Sequence, residues 1–374
     1  MSDVATAPLR AASLVTAPLR VGIVGCGHIV EQYLQTLPRL ADVRVVAAAD
    51  LDPARAEAVA ARVDGARALP VEELLAAPDV DVVLNLTIPA AHDEIALAAI
   101  AAGKHVHGEK PLAATTGGAR AVLDAAARAG LVASCAPDTV LGTGTQTARV
   151  AVDGGVIGRP VAATAVMMTP GHERWHPNPD FYYQAGGGPL FDMGPYYVSA
   201  LVTLLGPVVS VVGAASSLRD RRTIGSGPRA GEVIGVDVDT HVTGVLVHES
   251  GALSTLVMSF DAVATRASRI EIHGTAGSMV VPDPNHFDGE VEVNLLGGDG
   301  WVVLPPSGGY AGAGRGIALQ DFVETGGAPR ASGELGFHVL DVMESLIRAA
   351  QEGRTVQVAS TCDRPIPVPL TELV

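Results

Sequence analysis

The first third of the chain alternates short apolar runs with longer stretches of helical period. "RVGIVG" (20–25) is an apolar run ending in glycine, and "GCGHIVEQYLQTLPRL" reads as a glycine turn opening a helix. "VRVVAAAD" is a buried-strand pattern ending at Asp50. "DPARAEAVAARV" reads as helix and "VDVVLNL" (80–86) as buried strand. "AAHDEIALAAIAAG" is a helix ending at Gly103, "KHVHG" a short strand, "GGARAVLDAAARAG" a helix and "LVASCAP" a strand. Strands alternating with helices of this length predict an α/β fold with a doubly wound parallel sheet.

After about residue 137 the pattern changes. Helix-like segments appear at 145–153 and about 193–205. Long alternating runs accompany them: "VAATAVMM", "HVTGVLVHE", "ALSTLVMSF", "SRIEIHG" and "GEVEVNLLG". This predicts a large, mostly antiparallel sheet with helices on one face, an α+β layer. The last helix, 333–353, repeats apolar residues at three and four spacing, and its His338 reads as a core or boundary residue. Three segments follow: a flexible tail over 1–18, a nucleotide-binding domain over 19–137, and an α+β domain over 138–374. The tail holds the first of two Thr-Ala-Pro-Leu-Arg copies, at 6–10 and 16–20.

The glycine turn suggests a chemistry. Gly25 and Gly27 let the backbone approach a pyrophosphate at the helix N-terminus, where His28 and Ile29 stand. The sixth motif position is Val30, where glycine or alanine is usual. Asp50 lies 23 positions beyond Gly27, near the spacing of a ribose-binding carboxylate. In that role it bonds a 2′-hydroxyl and repels a 2′-phosphate, which favours NAD(H) over NADP(H). The alternative is a turn residue before Asp52-Pro53. Two loops sit at carboxyl ends of strands, where such sheets bind ligands. They carry Thr87, Pro89 and His92 (87–92) and Glu109 and Lys110 (108–111).

Composition adds to this. Of 25 basic residues only Lys104 and Lys110 are lysine. A lysine kept where arginine serves elsewhere points to its compact ammonium and adjustable pKa. Lys104 follows Gly103 at a helix end, which suggests structure, whereas Lys110 falls beside the cofactor. The net charge of −15 disfavours nucleic acid as a partner. No apolar run reaches membrane-spanning length, and the stretch Ala11 to Val15 is too weak for a secretory signal. Three distant cysteines suggest no disulfide framework, and the expected location is the cytoplasm.

"GHERWHPNPD" contains His172-Glu173-Arg174-Trp175-His176, letter for letter a zinc-protease motif. Pro170 and Gly171 before it and Pro177 and Pro179 after it deny it the helix that would align two histidines, so no metal site is expected. Seven of the fourteen Phe, Trp and Tyr residues lie between Trp175 and Tyr197. Aromatic faces mixed with polar tips suit a sugar, with Asp138, Trp175, His176 and Tyr183 as candidate contacts. An aromatic core under a long loop is the other reading. "GGGPLFDMGPYY" (186–197) is expected to enter a helix near Gly194-Pro195, with Asp192 near the N-cap and Tyr196 one turn on. Asp192 then either caps the helix or faces the cofactor with Tyr196.

Together "VGIVGCGHI", "HVHGEKPLA" and "GGGPLFDMGPYY" resemble the Gfo/Idh/MocA oxidoreductases over roughly residues 19 to 360. The resemblance implies an NAD(P) domain followed by a domain whose open sheet forms a homodimer or homotetramer. It also implies oxidation or reduction at a sugar or polyol carbon. The family's catalytic lysine falls on Lys110, and its D-x-G-x-H motif falls on Asp192 to Tyr196, with tyrosine in the histidine's place. Two proton acceptors stay open: Tyr196, its phenol lowered by Lys110, or Lys110 itself, oriented by Asp192. Two other functions stay open as well, an NAD-dependent glycoside-cleaving enzyme and a non-catalytic NAD- and sugar-binding protein.

Overall fold

A computed structural model describes residues 18–373. The tail expected over 1–18 therefore lies, apart from Pro18, outside the described residues.

The apolar runs of the first third become strands β1 (Leu19–Val24), β2 (Val43–Ala49), β4 (Val82–Asn85), β5 (His105–Gly108) and β6 (Ala133–Cys135), and an exposed two-residue edge strand that the pattern does not predict, β3 (Arg67–Ala68), joins them. All pair in parallel, in the order β3-β2-β1-β4-β5-β6. Every residue of β4 and β5 is buried, as a parallel sheet covered on both faces requires. The intervening segments form α1 (Val30–Thr36), α2 (Pro53–Ala60), α3 (Val71–Ala76), α4 (His92–Ala101) and α5 (Thr116–Ala129). The strand order reverses between β1 and β4, so the crevice for a ligand opens beyond Val24 and Asn85.

The second sheet follows α6 (Thr143–Asp153). Its strands are β7 (Pro160–Met168), β8 (Val208–Ser216), β11 (His241–His248), β12 (Leu253–Ser259), β13 (Ile270–Gly274), β14 (Gly277–Val281), β15 (Val291–Leu295), β16 (Val302–Leu304) and β18 (Val356–Gln357). The short strands β9 (Arg221–Thr223) and β10 (Val233–Gly235) form a separate hairpin, and β17 (Tyr310–Ala311) pairs β19 (Thr371–Glu372). The large sheet runs β16-β15-β14-β13-β7-β12-β11-β8-β18. Only the β7–β12 pair is parallel. Along β12, Ser254, Leu256 and Met258 are buried while Leu253 and Thr255 are exposed, the alternation of a sheet covered on one face.

Helices α7 (Gly188–Leu205) and α9 (Gly333–Glu352) supply that cover. At the cross-strand pair Gly213 and Gly244 the backbone of α9 comes close. A Cβ on Gly213 would stand 2.6 Å from the Leu346 carbonyl oxygen. The chain then returns to the first sheet: α8 (Ile317–Glu324), Tyr310 and Val368 share a core with Leu19, Ile23 and Tyr33. Among the described residues no helix is long and apolar enough to cross a membrane.

One helix departs from expectation. α7 starts at Gly188, not near Gly194-Pro195. Pro189 takes the first turn, where a missing N–H costs nothing. Pro195 lies inside the helix. It cannot bond the Phe191 carbonyl, so the ladder is interrupted one residue from Asp192. Asp192 is thus an interior residue and not an N-cap.

Candidate active site

The cofactor half is built on the glycine turn. Gly25 has φ +98, and a Cβ there would lie 2.6 Å from the Leu86 carbonyl carbon and 2.7 Å from Thr87 N. Only glycine fits so close to the neighbouring strand end. A Cβ on Gly27, by contrast, would meet nothing within 4 Å. That open space beside the turn fits a pyrophosphate, so these residues can hold the dinucleotide. Val30 is buried in the core below and needs no glycine to pack. His28 and Pro89 are exposed, and Ile29 and Thr87 are half-buried along the same rim. Asp50 accepts from Cys26 N at 2.7 Å and from Asp52 N at 2.9 Å, so its carboxylate also braces the turn.

Two residues expected at the cofactor are buried and bonded to the protein. His92 is buried, with Nδ1 2.6 Å from the Pro111 carbonyl and Nε2 3.0 Å from the Thr87 carbonyl. It ties the 87–92 loop to the 108–111 loop. Glu109 is also buried; Oε1 accepts from Tyr33 Oη at 2.8 Å and Oε2 from Lys110 N at 3.1 Å. Burial opposes its charge, but Arg315 and Lys110 hold its pKa below the ordinary glutamate value. Polar residues at the strand ends serve here to fix the loops, because buried donors and acceptors must be paired.

Lys110 reaches across to α7. Its Nζ donates to the Asp192 carbonyl at 2.6 Å and to Asp192 Oδ1 at 3.1 Å, and stands 5.2 Å from the Tyr196 ring centroid. Two of three ammonium hydrogens are thereby directed. The lysine was expected for a pKa that its surroundings could lower, but the opposite holds. Burial works against its charge, yet Asp192, Tyr196 and Glu109 together raise its pKa. Asp192 is the counterpart: burial opposes ionisation, and Lys110 and His172 bring its pKa down to about 2.

His172 was not anticipated. Its Nε2 lies 3.0 Å from Asp192 Oδ2. An ionised carboxylate only accepts, so Nε2 carries the hydrogen. The zinc motif comes apart in the fold. Residues His172–Arg174 make one 3₁₀ turn. From it His172 goes to Asp192, Glu173 to Arg222 at 3.1 Å, and His176 Nδ1 accepts from Asn178 N.

Three other expectations are corrected. The Tyr196 hydroxyl lies 3.0 Å from Arg315 Nη2 and is buried. Burial raises its pKa, and Lys110 and Arg315 only temper that rise. Asp138 is fully buried, accepting from Gly316 N at 2.7 Å and Ala318 N at 3.4 Å, and so holds the start of α8. Burial pushes its pKa up to about 6. Tyr183 is fully buried as well; its hydroxyl bonds the Glu173 carboxylate and accepts from His172 N at 3.2 Å. Neither Asp138 nor Tyr183 is placed to meet a sugar. Trp175, 58% exposed, holds its ring 5.1 Å from that of His172, and the half-buried His176 lies 5.4 Å from Trp175. Arg315 was also missed. It joins Tyr196 to Gln32 on α1, 2.6 Å from Nε, and to Asn285, 3.1 Å from Nη2.

The chain is similar to known oxidoreductases over most of its length. Residues 19–136 match the oxidoreductase family with an NAD-binding Rossmann fold, and residues 145–280 match the GFO/IDH/MocA C-terminal domain. The chain is 29% identical to a 1,5-anhydro-D-fructose reductase of Ensifer adhaerens, covering 91% of this chain and 98% of that one. It is 32% identical to a dTDP-3,4-didehydro-2,6-dideoxy-alpha-D-glucose 3-reductase of Saccharopolyspora spinosa, covering 71% and 74% respectively. A solved NAD-binding oxidoreductase from Klebsiella pneumoniae superposes with a TM-score of 0.80 at 26% identity, covering 92% of this chain and 100% of that one.

Proposed function

Because the chain belongs to the Gfo/Idh/MocA family of NAD-binding oxidoreductases, we propose that Lys110 is the group that meets the reacting oxygen of a sugar or polyol. The observation that carries this is the double hold of Asp192 on the Lys110 ammonium, which leaves one hydrogen undirected. The named relatives are reductases and dehydrogenases of sugars and polyols, which supports the substrate class.

NAD(H), when bound, supplies or takes the hydride. The chain's residues do the rest. Gly25 lets the turn pack against the end of β4, Gly27 leaves room for the pyrophosphate, and Asp50 faces the ribose while bracing the turn. Lys110 stabilises negative charge as it grows on the substrate oxygen, a role worth most in a partly dry site. It gives that oxygen its proton in the reducing direction and, only after losing a proton to solvent, takes it in the oxidising direction. Asp192 holds the ammonium in place. Trp175 and His176 offer an apolar face and a polar edge to the remaining substrate hydroxyls.

The same reading assigns residues 19–137 to the cofactor and 138–374 to substrate and subunit contacts. The uncovered face of the large sheet exposes Val212 and Leu253. It would join copies into a homodimer or homotetramer. The buried free thiols Cys26, Cys135 and Cys362 suit the reducing cytoplasm.

The test is a panel of sugars, polyols and their keto derivatives, followed at 340 nm with NAD+ or NADH. Absorbance change that requires both protein and substrate supports the reading. Sugar release without net NADH change would favour glycoside cleavage. Binding of both ligands without turnover would favour a sensor.

A further inference from the structure

The helix that carries Asp192 has tyrosine where the family motif has histidine, and the hydroxyl of Tyr196 is engaged by Arg315. A histidine nevertheless reaches the same carboxylate from a different segment. His172 Nε2 lies 3.0 Å from Asp192 Oδ2, while Lys110 Nζ lies 3.1 Å from Oδ1. One carboxylate thus joins the only lysine of the site to a histidine twenty residues away in sequence.

The placement of this histidine is over-determined. Its ring lies among Trp175, Tyr182 and Phe260, with centroids 5.1, 4.7 and 4.4 Å away. Its backbone N–H bonds the buried Tyr183 hydroxyl. The preceding Gly171 has φ +108, and a Cβ there would stand 2.6 Å from Arg222 Nη1 and 2.7 Å from the Tyr183 hydroxyl. Arg222 in turn is held by Glu173 and Asp261. Nδ1 is buried without a partner, so Nε2 makes the one polar contact of the ring. An unpaired buried nitrogen is unfavourable. A packing residue of the same shape would avoid it.

We propose that His172 is a positioning residue: its N–H fixes the plane of the Asp192 carboxylate, and through it the direction of the Lys110 ammonium. This deepens the reading above and rests on Lys110 meeting the reacting oxygen. Without the donor, the carboxylate turns about its Cβ–Cγ bond and the ammonium keeps only the Asp192 carbonyl to direct it, so it can rotate about that one bond. Misplacement of order 1 Å costs about a hundredfold in rate.

The test compares His172→Phe, His172→Gln and His172→Asn in the full chain. Phenylalanine keeps a ring among the aromatics and lacks the donor. Glutamine places an amide N–H near Nε2, and asparagine is one methylene too short. The readouts are kcat, KM, NADH affinity and melting temperature, with Lys110→Met as control. His172→Phe is expected to lower kcat about 10- to 100-fold with KM within about threefold. Glutamine is expected to recover most of the loss and asparagine not. If Phe fails to fold, Gln against Asn carries the same comparison. An unchanged kcat, a change confined to KM, or Gln no better than Asn overturns the proposal. If Lys110→Met is inactive while His172→Phe is normal, only this proposal fails. If Lys110→Met stays active, the underlying reading fails.

Discussion

The hydroxyl of Tyr196 lies 3.0 Å from Nη2 of Arg315, while the Lys110 ammonium stands 5.2 Å from the centre of its ring. Tyr196 thus meets the site with its ring and the core with its polar tip. Tyr196→Phe keeps the ring under Lys110 and removes only the acceptor for Arg315. Turnover should stay within about threefold, with stability down by about 1–2 kcal/mol. Steady-state kinetics and urea unfolding check this, and a hundredfold fall in kcat would reinstate the phenol as proton carrier.

Lys110→Arg should bind NADH within a few-fold of the parent and lose turnover by about 10²- to 10⁴-fold. The planar fork cannot place one hydrogen where the compact ammonium does. The raised lysine pKa also gives a sign for pH. Below the ordinary lysine range Lys110 holds its proton, so carbonyl reduction should be flat in kcat from pH 6 to 9. Oxidation needs the proton accepted, so its kcat should climb with pH over the same interval. Profiles in both directions on one substrate test the pair, and a falling oxidation limb would contradict it.

Asp138 offers a test on stability. Its pKa is about 6 in the folded state, raised from 3.8 chiefly by burial. A raised carboxyl favours the folded state fully below about pH 4, and the benefit is lost as pH rises through 6. The shift corresponds to about 2–3 kcal/mol. Asp138→Asn removes this slope. Stability of the variant relative to the parent should rise between pH 4 and pH 7, followed by guanidinium unfolding. Substrate KM should be unchanged, because Asp138 is fully buried and bonded to the start of α8.

How far such roles can be read from sequence depends on the reach of the contact. Five of the six strands of the first sheet are visible because a buried parallel strand is a short apolar run bounded by turns, whereas the exposed edge strand β3, Arg67–Ala68, has no apolar run to show. Lys110 stands out because lysine is scarce and the loop lies at a strand end, and its pairing with Asp192 is what the fold adds. Asp138 misleads, since its partners come from a segment 178 residues later. His172 misleads differently. Its local pattern resembles a metal motif, while its partner is set by a loop fold that no periodicity records. Strand β8 is hidden because its apolar run follows the apolar end of α7 after only Gly206 and Pro207. The start of α7 is hidden because Gly186, Gly187 and Gly188 read as loop. What escapes is non-local polar pairing and the ends of elements.

The two glycines of the turn should separate folding from cofactor binding. At Gly25 the backbone has φ +98, and an added Cβ would crowd Leu86 and Thr87. Gly25→Ala therefore strains β1 against β4, and its melting temperature should fall by several degrees along with loss of NADH binding. At Gly27 an added Cβ meets nothing within 4 Å, so Gly27→Ala should fold as the parent does. That same space is where a pyrophosphate must approach the backbone, and a methyl group there keeps it away. NADH affinity should drop at least about tenfold, equivalent to 1.4 kcal/mol, with the melting temperature of the free protein unchanged. Thermal melts and fluorescence titration with NADH distinguish the two. If Gly27→Ala binds NADH as tightly as the parent, the dinucleotide does not lie against this turn, and the placement of Lys110 beside it loses its basis.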